Sequence, residues 1–526
     1  MLPTHRQSFR THPSSDQSTL NKAKPHLPWP PTLWSTRAEE VRDAFLHAYS
    51  GYQEFAVPHD ELLPVSGGNV DNFNGWSVSV VDSLDTMWIM GLQDEFYEAM
   101  PFLDTYVAFF ETTIRYLGGL LSAYALSGEP LLLARADDLG KALLPALNTS
   151  SGLPMFAVNA ATGGTKAGWN PNVLWAEAMS CQLEYKYLAH LTGRSQYYHK
   201  VEAIMDIMHN ANIKDGLYPT LWNLKDGTPT NTQHSVGAFA DSAYEYLLKQ
   251  WLLTSRAETK AKEMYLNSAK GIIDNLLFLT PKRQLLYVTD TIGGKPSHIF
   301  EHLSCFLPGL LALGAHTLDL APAEKQIHEW AASGLAYTCW TSYADQATGL
   351  GPDEMVMVAG ATQNVTSGRW VDVVADWVDQ GRPGGLPPGL HEPPVVKVGT
   401  TEERDYYAKK NSYLLRPETL ESFYILWRTT GDERWRERGW SVFQAIQKFT
   451  RTKYGYASIR LVDNAFPTML DEMPSYFLAE TLKYLYLLFT DEELIPLDRW
   501  VFNTEAHPLP VFEWTNWEKA EYNILS

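Results

Sequence analysis

Apolar residues recur along the chain at helical spacing, in segments separated by loops rich in Gly, Pro, Asn and Asp. The pattern predicts helices over 36–50, 82–91, 97–109, 112–127, 131–145, 175–190, 196–212, 238–253, 257–277, 301–315, 322–341, 418–430, 432–449 and 478–489, fourteen in all. They alternate in character. "RYLGGLLSAYALSG", "EHLSCFLPGLLALGA" and "AETLKYLYLLF" are apolar nearly all round and rich in small residues, whereas "EKQIHEWAASGLAYTCW", between two of them, carries charge on one face. A helix apolar on every side is buried, and an amphipathic one covers it. Seven inner and seven outer helices follow. Antiparallel pairs with short links are the unit of an α/α toroid, so the expected fold is all-α, an (α/α)7 barrel.

Inner helices of such a toroid run the same way, and their N-terminal ends share one face. An acid stands at each predicted end: Asp82, Glu111, Glu177, Asp241, Glu301, Glu418 and Glu480. Any one of them is accounted for as a helix cap or dipole partner, worth roughly 0.3 to 1 kcal/mol. Seven carboxylates at one mouth repel one another unless a cation or shared protons offset the charge. The pattern therefore predicts an acidic cavity suited to a hard cation.

Composition narrows the function classes. Asp and Glu number 61 against 42 Lys and Arg, a net charge of −19, which argues against a phosphate-binding surface and against nucleic acid as a partner. Aromatics make up 13 % of the 526 residues, with 18 Trp and 27 Tyr; these fill a large core or stack on sugar. The three cysteines, Cys181, Cys305 and Cys339, are too few for a disulfide framework and match no zinc spacing. Residues 1–33 are polar and Pro-rich and read as a flexible tail or stem, 34–515 as the barrel domain, and 516–526 as a C-terminal extension. The sequence shows no membrane anchor and no signal segment. Asn148-Thr-Ser and Asn364-Val-Thr are glycan acceptors if the chain enters the secretory pathway.

Six blocks carry a resemblance to a known family: "VDSLDTMWIMGL", "FETTIRYLGGLLSAYALSG", "ADSAYEYLLKQW", "LLRPETLES", "FLAETLKYLYLLF" and "VFNTEAHPLP". In these blocks and their order the chain resembles glycoside hydrolase family 47, the class I α-1,2-mannosidases that trim N-linked high-mannose glycans. The resemblance covers residues from about 36 to 511. It implies an (α/α)7 barrel plugged at one end by a small C-terminal β-hairpin, whose tip carries a threonine that binds Ca2+ through its carbonyl and hydroxyl oxygens. Here that residue is Thr504, with neighbouring acids holding the ion's waters. Calcium takes six to eight oxygen ligands in flexible geometry, so one threonine, waters and sugar hydroxyls are a reasonable set.

The chemistry implied is hydrolysis with inversion, which needs an acid for the leaving oxygen and a base for water, about 6.5 to 9.5 Å apart. Glu111 matches the family's acid, Glu418 its base, and Asp241 a third catalytic carboxylate without a unique role. Arg115, four residues after Glu111, is placed to hold it. Glu177, Arg416, Glu421, Glu480 and Glu505 fall on positions that line the sugar site or hold ion-bound waters. His302 matches a pocket histidine, a core histidine being the alternative. Tyr476 stands where many members have a sugar-stacking phenylalanine. Cys305 and Cys339 match the family's disulfide, with a separation slightly longer than the family leads one to expect, and Cys181 is left unpaired.

Two departures bear on specificity. Phe239 occupies a position where the endoplasmic-reticulum type has an arginine gripping one glycan branch, so an apolar residue there implies looser branch choice, from Man9 toward Man5. Glu301 stands where aspartate is expected. The resemblance also implies a monomer acting on glycoprotein glycans in the secretory-pathway lumen, Golgi or endoplasmic reticulum, or secreted. A lectin-like, degradation-enhancing relative that binds or slowly trims glycans is the rival reading. Retention of Glu111, Asp241, Glu418 and Thr504 together speaks against it.

Overall fold

The computed structural model of the chain describes residues 32–99, 106–169, 171–213, 215–360 and 368–524. The first helix, Leu33–Phe55, starts where the Thr32 hydroxyl accepts from Ser35 N at 3.0 Å, and it buries Val41, Phe45, Ala48, Tyr49 and Tyr52. This stripe packs on Leu482–Phe489, so the first long helix meets the last apolar one. The helices buried on most sides are Val78–Ile89, Gly118–Ser127, Gln182–Thr192, Asp241–Leu253, Leu307–Thr317, Glu418–Thr430 and Leu482–Phe489. Each packs beside the next, and the turn Phe477–Thr481 returns to Val78–Ile89. Pro130–Leu143, Ser195–Asn210, Thr259–Asn275, Pro322–Ala344 and Arg434–Phe449 each cover the helix they follow.

Several expected helices differ in detail. Over 97–109 the described residues form a short helix, Gln93–Glu98, and a strand, Tyr106–Ala108, which pairs with Ala157–Asn159; the sequence puts Pro101 where a helix would have continued. The segment 175–190 is split into Trp175–Met179 and Gln182–Thr192 at Ser180, whose hydroxyl donates to Ser242 Oγ at 2.7 Å. The segment 238–253 becomes helical only at Asp241, because Phe239 holds φ at +79°, a left-handed conformation foreign to a helix. Residues 301–315 open with the strand Ile299–Glu301 and the turn Leu303–Phe306 before Leu307–Thr317 begins.

The expectation of an acid at every inner helix start is corrected accordingly. Glu111, Glu177, Asp241 and Glu418 lie in first turns, and Glu480 lies in Phe477–Thr481. Asp82, however, is the fifth residue of Val78–Ile89 and fully buried, and Glu301 is in a strand. The helix Trp370–Asp379 had no expectation, though Trp370, Val373, Val374 and Trp377 are spaced for one buried face.

The sheets among the described residues have two or three strands each. One matters for function: Trp500–Phe502 pairs antiparallel with Pro508–Pro510, and its tip enters among the inner helices. Cys305 and Cys339 are joined in a disulfide, Cα atoms 6.0 Å apart, which ties the turn before Leu307–Thr317 to Pro322–Ala344; Cys181 is a buried free thiol. In the C-terminal segment, Asn516–Glu521 docks through Glu518, 3.0 Å from His190 Nδ1, and through Tyr522 stacked on Tyr198 at 4.1 Å. Asn148 is exposed, whereas the Asn364 sequon and residues 1–31 of the tail lie outside the described residues. No helix among the described residues is long and apolar enough to cross a membrane.

Candidate functional site

The N-terminal ends of the inner helices surround a cavity of about 320 Å³. Its lining includes Glu111, Arg115, Glu177, Phe239, Asp241, Arg416, Glu418, Glu421, Tyr476, Glu480, Thr504 and Glu505. Of the catalytic, sugar-binding and metal residues expected from the sequence, His302 alone stands behind the wall. Its Nδ1 is 2.8 Å from Glu418 Oε2, and its Nε2 is 2.5 Å from the Tyr343 hydroxyl.

The floor is the hairpin tip. Asn503 Nδ2 donates to Ile114 O at 2.9 Å and to Glu184 Oε1 at 2.8 Å, while its Oδ1 accepts from Glu505 N and His507 N. His507 lies between Asp85 (2.8 Å) and Asp82 (3.2 Å), and Lys483 Nζ donates to Ala506 O at 2.7 Å. Burial opposes a charge on His507, but the two aspartates outweigh it and raise its pKa. The close approach explains the paired glycines of "YLGGLL": a Cβ at Gly118 would sit 2.5 Å from Asn503 Nδ2, and one at Gly119 2.8 Å from Val81 O.

On one wall, Arg115 Nε donates to Glu111 Oε2 at 2.8 Å, and its NH1 contacts Glu505 and lies 3.4 Å from Asp82. The guanidinium thus fixes the carboxylate of Glu111 and links it to the floor. Elsewhere in the lining, Arg416 Nε donates to Asp353 at 2.7 Å and its NH1 stands 3.7 Å from Glu418. Burial opposes ionisation of Glu418, yet hydrogen bonding and charge from His302, with Arg416, hold its pKa below the ordinary value. Asp241 behaves oppositely. Burial, then the charges of Glu245, Glu301 and Glu418, push it up to about 7, although Ser242 N donates to its Oδ1 at 2.8 Å. Burial likewise pushes Glu421 up to about 8 despite Lys249 at 3.6 Å, and raises Glu480 well above the ordinary range.

At the mouth, Phe239 is 41 % exposed and meets the Trp169 ring edge-on at 6.3 Å; Trp169 Nε1 donates to Glu177 Oε1 at 3.3 Å. The strained backbone at Phe239 is braced from behind, where Glu301 Oε2 accepts from Ala238 N at 2.7 Å. Glu301 thus supports the loop before Asp241 and is not part of the main cavity lining. Tyr476 donates its hydroxyl to Leu414 O at 2.7 Å, which fixes its ring in the wall. Sequence reasoning missed Glu245 and the apolar lining residues Ile114, Leu303 and Phe306. Glu245 was findable, being four residues after Asp241 on one helical face.

The donor chemistry bears on a metal. Among the described residues no three His, Cys, Asp or Glu are grouped to ligate an ion directly. Thr504 is partly exposed to the cavity, and neither its hydroxyl nor its carbonyl has a hydrogen-bond partner among the described residues. Two neutral oxygens ringed by carboxylates that repel one another fit a hard cation that keeps most of its waters.

Comparison with known proteins gives consistent matches. A family profile described as glycosyl hydrolase family 47 matches residues 44–511. The endoplasmic reticulum mannosyl-oligosaccharide 1,2-alpha-mannosidase of Rattus norvegicus is 40 % identical over 499 residues, spanning 92 % of this chain and 69 % of the relative. Mannosyl-oligosaccharide alpha-1,2-mannosidase IA of Drosophila melanogaster is 34 % identical over 528 residues, spanning 95 % and 73 %. Among solved structures, an alpha-1,2-mannosidase from Trichoderma reesei superposes with a TM-score of 0.79 at 31 % identity, covering 91 % of this chain and 99 % of that one.

Proposed function

The chain belongs to glycosyl hydrolase family 47, and from that premise we propose that it is a calcium-dependent, inverting exo-α-1,2-mannosidase that trims high-mannose N-glycans. Its ring of helices is read as the (α/α)7 barrel, plugged by the Trp500–Pro510 hairpin. The observation that carries the reading is one cavity holding Glu111, Asp241 and Glu418 above a floor made by Thr504.

In this mechanism the closed floor admits only a terminal sugar, whose ring stacks on Tyr476. Glu418, kept ionised by His302 and Arg416, takes a proton from the attacking water. Glu111, oriented by Arg115, serves the leaving oxygen. Asp241 holds a proton near neutral pH and is the second group able to feed that oxygen. Arg416, Glu421, Glu480 and Glu505 fix sugar hydroxyls and the waters around the ion, and Glu177 meets the sugar at the mouth. Calcium held by the two oxygens of Thr504 would supply positive charge against the surrounding carboxylates and orient water and hydroxyls.

Apolar Phe239 at the mouth favours broad branch choice and a product ladder running toward Man5. The relatives' names place such enzymes in glycan processing, so the lumen of the secretory pathway, Golgi or endoplasmic reticulum, is the proposed site of action, with glycoprotein glycans as partners. A time course on free Man9GlcNAc2, with and without chelator, tests the reading. Calcium-dependent release of mannose as the β-anomer toward Man5 supports it, and arrest at Man8 overturns only the branch assignment. Glycan binding without release overturns the hydrolase in favour of a lectin-like relative.

A further inference from the structure

Away from the catalytic cavity, the chain that leaves the outer helix Pro130–Leu143 forms a small rigid platform. The turn Leu144–Leu147 buries Ala146 and Leu147, and Asn148 is the exposed residue that follows it. Its N–H still donates to Pro145 O at 3.1 Å, so the backbone turns away from a fixed base. The loop beyond is held by hydroxyl contacts. Thr149 Oγ1 donates to Leu153 O at 2.6 Å and accepts from Gly152 N at 3.0 Å, while the hydroxyls of Ser150 and Ser151 donate to Lys225 O and Leu224 O, both at 2.8 Å. Leu153 is fully buried beneath the loop, and Met155 N returns to Ala146 O at 2.9 Å.

The Asn148 side chain is held by one of its two polar atoms. Lys200 Nζ donates to its Oδ1 at 2.7 Å, and its Nδ2 has no hydrogen-bond partner among the described residues. An ammonium only donates, so it selects the amide oxygen and leaves the amide nitrogen over. An N-linked sugar replaces one N–H of that nitrogen and keeps the oxygen, so the Lys200 bond survives modification. Asn148-Thr149-Ser150 has the residues that glycan transfer requires, and the buried Cys305–Cys339 disulfide is of the kind formed in an oxidising compartment. We propose that Asn148 carries an N-linked high-mannose oligosaccharide, and that this glycan makes each copy of the chain a substrate for another. The donor is a polyprenyl-diphosphate-linked oligosaccharide. Its anomeric C–O bond breaks with the electron pair leaving on the diphosphate, a C–N bond forms to Nδ2, and Nδ2 gives up one proton. The glycan then projects from an exposed, firmly based residue and ends in α-1,2-mannoses, which the proposed activity hydrolyses; this second half rests on the hydrolase reading.

The test uses Glu111→Gln protein secreted by eukaryotic cells whose own α-1,2-mannosidases are inactivated, with the Asn148 peptide weighed before and after enzymatic removal of N-glycans. The peptide should be heavier by one high-mannose oligosaccharide. The shift should vanish when Asn148→Gln or Ser150→Ala is added and persist with Ser150→Thr, which keeps the hydroxyl. A bare Asn148 in secreted, disulfide-bonded protein overturns the site; should Ser150→Ala not be secreted, Asn148→Gln decides. The glycosylated Glu111→Gln protein is then incubated with the Asn148→Gln variant, whose kcat/KM on free Man9GlcNAc2 should equal that of the wild type because the loop lies outside the cavity lining. The Asn148 glycan should lose hexoses one at a time, to the same end product as the free glycan. Trimming of the free glycan but not of the Asn148 glycan overturns the exchange between copies. Trimming of neither removes the hydrolase reading, and the acceptor site then stands on the peptide mass alone.

Discussion

Glu418 owes its charge to its neighbours, and the longest chain of them runs through His302 to Tyr343. With the Tyr343 phenol donating to Nε2, the imidazole proton sits on Nδ1 and points at Glu418, 2.8 Å away. Tyr343→Phe leaves Nε2 with only the Thr419 hydroxyl, at 3.4 Å, and so holds the ring less firmly toward Glu418. The expected outcome is a fall in kcat of about ten-fold and an upward shift of the acidic limb of the pH–rate profile, because Glu418 loses a donor that favours its ionised form. A lower Tm with the limb unmoved would assign Tyr343 to packing alone. At Phe239, arginine strains the backbone no more than phenylalanine does, since both carry a Cβ at φ +79°. Phe239→Arg therefore tests the side chain cleanly: the product ladder on Man9GlcNAc2 should stop earlier, and an unaltered ladder would remove this residue from branch choice. At this scale the sequence was informative where a residue sat in a long block, as Thr504, Arg115 and Glu480 do. It was silent on Tyr343, whose contact is with His302, a residue 41 positions distant.

Among elements, the C-terminal hairpin does the most for the site, because its tip is the cavity floor and, in the proposed reading, holds the ion. Its depth depends on the absence of a Cβ at Gly118, so Gly118→Ala puts a methyl 2.5 Å from Asn503 Nδ2 and pushes the tip outward. Overpacking of this kind costs about 1 to 3 kcal/mol. The variant should show a lower Tm together with a higher calcium midpoint for activity, and a lower Tm at an unchanged midpoint would detach the tip from the ion. The inner helices were legible from sequence because their apolar character on all sides has one physical cause, burial. Their ends were less so, since Phe239 and Ser180 interrupt helices through tertiary bonds that periodicity does not register. Strands of two or three residues, such as Ile459–Arg460, are too short to alternate visibly. Trp370–Asp379, by contrast, shows its helical spacing openly in Trp370, Val373, Val374 and Trp377.

Over the whole molecule, the excess of acid is partly internal. Burial raises Asp241, Glu184 and Glu301 to about 7 and Glu421 to about 8. In each, the folded pKa lies above the ordinary value near 4, so the stability linked to it is complete below about pH 4 and is lost as pH rises through the folded value. His507, raised by Asp85 and Asp82, has the same sign. His47, His234, His298 and His328 oppose this, because burial lowers their pKa and they add stability as pH rises, an effect complete by about pH 7. Glu418, Asp82 and Asp85, with depressed values, are ionised in both states above about pH 5 and add no slope. Between about pH 7 and 9 the raised groups are left to dominate, and the Tm of chelated protein should fall. Asp241 and Glu421 line the cavity above Thr504, so a cation held there favours their ionised forms. The rise in Tm on adding calcium should therefore be larger at pH 8 than at pH 6, as scanning calorimetry at fixed free calcium would show. An increment independent of pH, with the chelated protein still losing stability, would mean that the ion sits away from these carboxylates and that Thr504 is not its ligand.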